Sequence, residues 1–484
     1  MSATAAQPHS ADATALDPRR WKALAVLAVA QFMVVLDASI VNVALPSIQR
    51  SLGFSESGLP WVVNAYTLAF GGFLMLGGRA ADLFGRRRMF IAGLGLFSAE
   101  SLAGGFAQSA GWLIAARGVQ GLGAAMLSPA ALSIVTTTFT EGAERNKALG
   151  IWGALAGAGG AVGVLMGGML TQWAGWEWVL FVNVPIGAAA AFAAPRFVRE
   201  SKTHEQTSLD VAGALTVTGG LVALVYALVD ASSAGWGSAQ TIGLLALSVV
   251  LLASFVVVEL RTRHPLMPLT IFRNRNVASA DAVALLVGAS LFSMFFFISL
   301  YLQQVLGQSA LKTGLSYLPL AISIVLSAGV ASQLVTRVGP KPVLVGGLVC
   351  VTAGLVLFTQ ISPDGSYLSD VLLPSVIVAV GLGLSFVSLT ITAVSGVSHD
   401  EAGLASGLLN TAQQVGGALG LAVLSSVATS QIADSGGHGR VALTDGFQSA
   451  FTVGAGFAAL GVVLALLVVP HVRPGQLQEA PAVA

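Results

Sequence analysis

Apolar runs of about 20 residues follow one another along most of this chain, and that is the length an α-helix needs to cross a bilayer. In lipid every main-chain polar group needs a partner inside the protein, and a helix supplies one within each segment. Taking the runs in order gives spans at 22–44, 59–80, 89–107, 112–135, 148–170, 178–195, 209–230, 240–260, 277–301, 313–335, 342–360, 370–394, 403–430 and 448–470. That makes fourteen, with twelve and thirteen as the alternative counts. Charged residues are only 9% of the 484, whereas a water-soluble domain carries about 25%. The surface of this protein faces lipid.

Other classes are excluded in turn. A net charge of +1 gives no footing for nucleic acid. The single Cys350 rules out an internal disulfide and any cysteine-built metal site. There is no nucleotide-binding glycine loop with its lysine and no metal-ligand cluster, so no cofactor, no metal and no enzymatic activity are expected. Residues 1–20 read as a polar tail, without the apolar core of a signal peptide. With the N-terminus cytoplasmic, fourteen spans place 19 of the 23 Lys and Arg residues inside, Arg50, Lys312 and Arg440 outside, and Arg117 within a span. This is the asymmetry that retains basic loops in the cytoplasm. Both termini are therefore expected inside a cell membrane crossed many times.

Internal repetition sets the architecture. Asp82 to Arg88, followed by Gly93-Leu94, recurs 254 residues later as Thr336 to Pro342, followed by Gly347-Leu348. Gly121-Leu122-Gly123 recurs as Gly381-Leu382-Gly383, and Gly159 to Gly163 recurs as Gly416 to Gly420. The order of the three matches is preserved, so spans 2–5 correspond to spans 10–13 in the same orientation, as a parallel repeat about the membrane normal requires. The expected plan is an all-α membrane protein of 6 + 2 + 6 helices. It comprises a tail (1–20), an N-terminal six-helix bundle (21–195), a cytoplasmic linker (196–208), two extra helices (209–260), a C-terminal six-helix bundle with its leading loop (261–470) and a second tail (471–484).

Five stretches, in order, resemble the fourteen-helix drug:proton antiporter branch of the major facilitator superfamily. They are Leu36-Asp37 to Pro46, Gly78 to Arg87, Arg117 to Ala125, Trp176 to Gly187, and Gly403 to Gly420. The chain departs from the family pattern at Val164, where Pro is usual, and at Leu83 and Glu177, where Arg is usual. The resemblance implies a secondary transporter that exports lipophilic drugs or metabolites in exchange for protons by alternating access, working as a monomer in the lipid bilayer. Val164 keeps a proton-coupled importer or facilitator on the same fold as the alternative.

Particular residues then acquire expected roles. Charges inside a membrane are costly and are placed for function, and Asp37, Arg117 and Glu100 fall in one layer near the outer surface. Helices 1 and 4 line the cavity in proteins of this kind, so Asp37 and Arg117 are expected to pair and couple to protons, with Glu100 as an auxiliary. Gly78, Asp82, Gly85, Arg86 and Arg87 resemble the family's cytoplasmic latch, in which Asp82 meets the positive end of a neighbouring helix. Gly163, Gly167 and Gly168 belong to a glycine stripe suited to close helix packing and gating. Asn42, Asn64, Tyr66, Gln120, Asn183, Gln303, Gln304, Asn410, Gln413 and Gln414 are the expected polar lining of a substrate cavity. Phe295, Phe296, Phe297 and Tyr301 offer aromatic surface. Asp281 is expected to form an interfacial ion pair with Arg273 or Arg275.

Overall fold

The computed structural model describes residues 19–139, 143–202, 209–263, 265–397, 402–436 and 439–471. Its long helices are α1 Arg20–Leu52, α2 Trp61–Phe84, α3 Arg86–Gly105, α4 Ala110–Thr138, α5 Ala143–Trp173, α6 Trp178–Phe197, α7 Val211–Ala234, α8 Ala239–Arg261, α9 Arg275–Val305, α10 Ala310–Val338, α11 Pro340–Phe358, α12 Tyr367–Val394, α13 Ala402–Asp434 and α14 Arg440–Leu467. Among the described residues, twelve of these are long and apolar enough to cross a membrane. The other two, α3 and α5, have 20 and 31 residues and pack inside the same bundle, on α4 and α1 respectively. Three arginines and Glu100 make α3 more polar than its neighbours. At 33 residues α1 is about 50 Å long, so it overshoots the predicted 22–44 by a turn or more at its far end.

The helices pack as two equivalent halves. In the first, α1 lies on α5, α2 and α3 lie on α4, and α6 lies on α1 and α3; α9–α14 repeat each of these pairings, α9 standing for α1. Gly85 and Gly339 fill matching turns, at φ 107° and 85°, and each precedes the helix that follows it. A side chain at these angles would be strained. The repeat is legible to the residue in α5 and α13. Gly159 and Gly163 press on the carbonyls of Phe32 and Leu36, as Gly416 and Gly420 press on Leu285 and Ala289. The match of Gly121 with Gly381 is corrected by two positions, because Gly93 meets Gly123 and Gly347 meets Gly381, making Gly123 the counterpart of Gly381.

The extra pair, α7 and α8, packs together, with α7 seated against α2 and α13 across the seam between the halves. At its base Asp210 caps α7 by accepting from the Gly213 amide, and Glu259 accepts from the Met267 amide. Both acids are buried. Their remaining oxygens converge over Gly213, 2.7 and 2.9 Å from where its β-carbon would stand.

One apolar core, from Ala23 and Leu24 to Ala194 and Val198, stays within the first half. The other joins the halves: Leu36 to Ile48 of α1 share it with Phe296 to Val305 of α9. The halves are thus sealed toward the Leu52 end of α1. Among the described residues, no hydrogen bond joins α1 or α5 to α9 or α10 on the Arg20 side of Asn42.

Candidate functional site

The centre of the first half is a shell of donors around one carboxylate. Asp37 of α1 is fully buried and Arg117 of α4 is 2% exposed. Arg117 Nη1 donates to Asp37 Oδ2 at 2.6 Å. Gln120 Nε2, one turn further along α4, and Asn183 Nδ2, just past an interruption of α6 at Val182, donate to Asp37 Oδ1 at 2.9 and 2.8 Å. Both amides also donate to Ser101 Oγ of α3, at 2.7 and 3.3 Å. The guanidinium is held independently. Its Nε donates to the Val62 carbonyl at 3.1 Å, its Nη1 to Gln120 Oε1 at 2.7 Å, and it lies 4.4 Å from the centre of the Tyr66 ring. Every group around Asp37 is a donor, so the arrangement suits the ionised carboxylate; a buried charge is tolerated when it is paired and hydrogen-bonded in this way.

The expected pair is therefore present, but its surroundings differ from the expected cavity. Gln120, Asn183 and Tyr66 position Asp37 and Arg117 from within one half, and Asn64 is wholly buried in α2. Glu100 stands apart from the network. Gly93, Phe97, Ser101 and Gly104 repeat at three or four residues and turn one face of α3 inward; Glu100, at the edge of that face, is only half-buried and is not among the hydrogen-bond partners of Asp37. Ser101 was not singled out from the sequence. Its signal was that same spacing, read against the polar residues of α4.

A second polar arrangement closes the seam at the Leu52 end, and Pro46 creates it. Proline has no amide hydrogen, so within α1 the carbonyl of Asn42, four residues earlier, has lost its helical donor. Ser299 Oγ of α9 takes that place at 2.7 Å. One turn on, Gln303 Nε2 donates to the Val43 carbonyl at 2.8 Å, and Gln304 Nε2 to Gln49 Oε1 at 2.8 Å. Beside this clasp Gly168 of α5 would place a β-carbon 2.6 Å from the Ala310 carbonyl, and Gly314 of α10 one at 2.5 Å from the Val164 carbonyl. Above it opens a cavity of about 640 Å³ lined by Arg50, Glu56, Thr171, Gln172, Gln303 and Gln304 among others. A smaller space of about 80 Å³, between Ser39, Gly160, Phe295 and Tyr317, lies deeper along the seam. Of the ten expected lining residues only Gln303 and Gln304 border either space. Asn42, Asn410 and Gln413 are half-buried, and Gln414 is buried against Gly71. Phe295 stacks on Tyr317 with centroids 5.6 Å apart, while Phe296, Phe297 and Tyr301 are core.

Two halves of equivalent packing, an added pair across the seam and a charge pair inside the first half set the frame for comparison. The family model described as "Major Facilitator Superfamily" matches residues 27–421. The chain belongs to this superfamily. Among curated proteins it is 42% identical to the puromycin resistance protein pur8 of Streptomyces alboniger, covering 96% of this chain and 93% of that one. It is 40% identical to the cephamycin export protein CmcT of Amycolatopsis lactamdurans, covering 95% and 93%. Among solved structures, a bacterial homologue of the human lysosomal transporter Spinster superposes with a TM-score of 0.66 at 17% identity, over 94% of this chain and 97% of that one. That likeness establishes the fold.

The remaining superfamily motifs take positions the sequence did not specify. Asp82 accepts from Arg86 Nε and Nη2 at 3.0 and 2.8 Å, one turn away, rather than meeting a neighbouring helix end. Arg87 donates from its main-chain amide to Glu200 Oε1 at 3.1 Å and from Nη1 to the Val198 carbonyl at 3.3 Å. The latch residues are thus tied to the segment after α6, inside their own half. Glu200, unremarked in the sequence, is the acid that also approaches Arg88 at 3.8 Å. The close helix approach next to the α2–α3 turn is at Gly77, where a β-carbon would collide with the Ala125 carbonyl, whereas Gly78 has ordinary room. Gly163 and Gly167 pack on the carbonyls of Leu36 and Ile40, and Gly168 reaches across the seam. The expected ion pair of Asp281 is absent. Arg275 lies six residues away, on another face of α9, and both Asp281 oxygens are buried without a hydrogen-bond partner.

Proposed function

We propose that this protein is a proton-driven exporter of lipophilic small molecules, seated in a cell membrane with the Arg20 end of α1 cytoplasmic and all fourteen helices crossing. Support for export comes from near-full-length likeness to proteins named for puromycin resistance and cephamycin export. The 6 + 2 + 6 plan is supported by the repeated packing of α1–α6 and α9–α14. Asp37 is the coupling site, and its donor shell is the observation that carries this assignment. A proton arriving on Asp37 removes the charge that Arg117 balances. The guanidinium then keeps only Val62, Gln120 and the Tyr66 ring, and α1 is free to move relative to α4. In this reading the conformation described, sealed at the Leu52 end, opens its substrate path toward the Arg20 end. One proton returning across 100 mV supplies about 2.3 kcal/mol for the outward step.

Everted membrane vesicles with an acidified lumen test this reading. Added substrate should discharge the imposed proton gradient in the wild type and fail to do so in Asp37→Asn. An importer or facilitator gives no such discharge, and proton-driven efflux that survives Asp37→Asn removes Asp37 from the mechanism.

A further inference from the structure

We propose that Asp281 is a second proton-holding site, in the C-terminal half, which carries its proton in the conformation described here. The side chain is 9% exposed and neither carboxylate oxygen has a hydrogen-bond partner. A carboxylate buried without donor or cation costs several kcal/mol, so the stable occupant of such a place is the neutral acid. Asp37 has the opposite surroundings, two amide donors and a guanidinium.

Among the described residues, no charged group elsewhere in the half pairs with Asp281. α9 packs against α12, α13, α14 and α1. The titratable groups on α12, α13 and α14 among the described residues are Tyr367, Asp370, Asp434, Arg440 and Asp445, all at the Leu52 end. On α1, Arg20 pairs with Glu144, Lys22 lies over the Phe197 ring, Asp37 pairs with Arg117, and Arg50 is at the far end. On α9 itself Arg275 is exposed in the first turn and Tyr301 is bonded to Ser362 and Asp370, while Arg273 is exposed in the turn before it.

Position gives the site a use. Asp281 lies six residues into α9, about 9 Å from its start. It lies between Ala278 and Leu285, three and four residues away, which are half-buried on a helix most of whose residues are buried. It also falls on the face that leads through Gly288 and Phe295 to Ser299 of the clasp. In the repeat, Leu36 matches Ala289, so Asp37 has Ser290 for its counterpart and Asp281 has Ala28. The two halves thus place their acids in different layers. Movement that admits water along this face lets the Asp281 O–H give its proton to that water and leaves a carboxylate behind.

This inference rests on the proposed proton coupling, but its test does not depend on transport. Infrared spectra of the purified protein at neutral pH should show the carbonyl stretch of a protonated carboxylic acid that is lost in Asp281→Asn and kept in Asp37→Asn. Asp281→Leu should also fold, because a neutral site accepts an apolar residue. In proteoliposomes Asp281→Asn should lower the number of protons moved per substrate. If the wild type has no band that Asp281→Asn removes, the proposal is overturned while export through Asp37 stands. An unchanged proton count with the band present overturns only the exchange step. If the band is present and no substrate moves protons in the wild type, the functional reading fails instead.

Discussion

Arg117 has four anchors, the Asp37 carboxylate, the Gln120 side-chain carbonyl, the Val62 carbonyl and the Tyr66 ring, and each makes a different demand on its replacement. Lysine keeps the charge but lacks the planar fork that reaches Asp37 and the Val62 carbonyl from separate nitrogens, so Arg117→Lys should fold, transport slowly and melt earlier. Arg117→Leu leaves Asp37 buried and uncompensated, and should cost about 3–5 kcal/mol of stability, read as a large fall in melting temperature. Arg117→Leu combined with Asp37→Asn should recover much of that loss, and a double variant no more stable than Arg117→Leu argues against the pair. Ser101→Ala removes the oxygen to which Gln120 and Asn183 both donate. It should cost about 1–3 kcal/mol and reduce coupling, visible as fewer protons moved per substrate. Asp37 and Arg117 were legible in the sequence because a charge in an apolar run is conspicuous. Gln120 and Asn183 serve the carboxylate rather than a cavity: composition shows that a polar residue lies inside a helix, but not which of the two it faces.

Helix α5 separates two uses of glycine on one element. Gly159, Gly163 and Gly167, four residues apart, bring its main chain against the carbonyls of α1, while Gly168 faces α10 in the other half. Gly163→Ala would place its methyl carbon 2.8 Å from the Leu36 carbonyl, within the half that holds Asp37. It should lower melting temperature and transport together. The four-residue spacing was legible as a packing stripe because helical geometry fixes which residues share a face. Which helix would meet it was not, since periodicity carries no address. The repeat was legible on the same ground and failed only at Gly-Leu-Gly, where two glycines of a triplet can each serve as the small contact. Glu200 escaped notice because it sits in a connecting segment, where an acid is unremarkable until the arginines of the 2–3 turn fold onto it.

At the scale of the whole molecule, closure at the Leu52 end depends on few polar contacts and on two glycines that let the halves touch. Gly168→Val should wedge α5 from α10 and favour the form open at that end. A cysteine at Ser47, in the wall of the large cavity, should then react faster with an impermeant thiol reagent applied from outside. Ser299→Ala with Gln303→Ala should act in the same direction, and unchanged labelling in both variants would show that the clasp does not hold the seam. The clasp was invisible in the sequence because two of its acceptors are main-chain atoms. For that same reason the residues at 42 and 43 can be exchanged for others without removing the groups to which Ser299 and Gln303 bind. Side-chain identity at these two positions is therefore uncoupled from closure at the Leu52 end, so long as a proline stays at position 46.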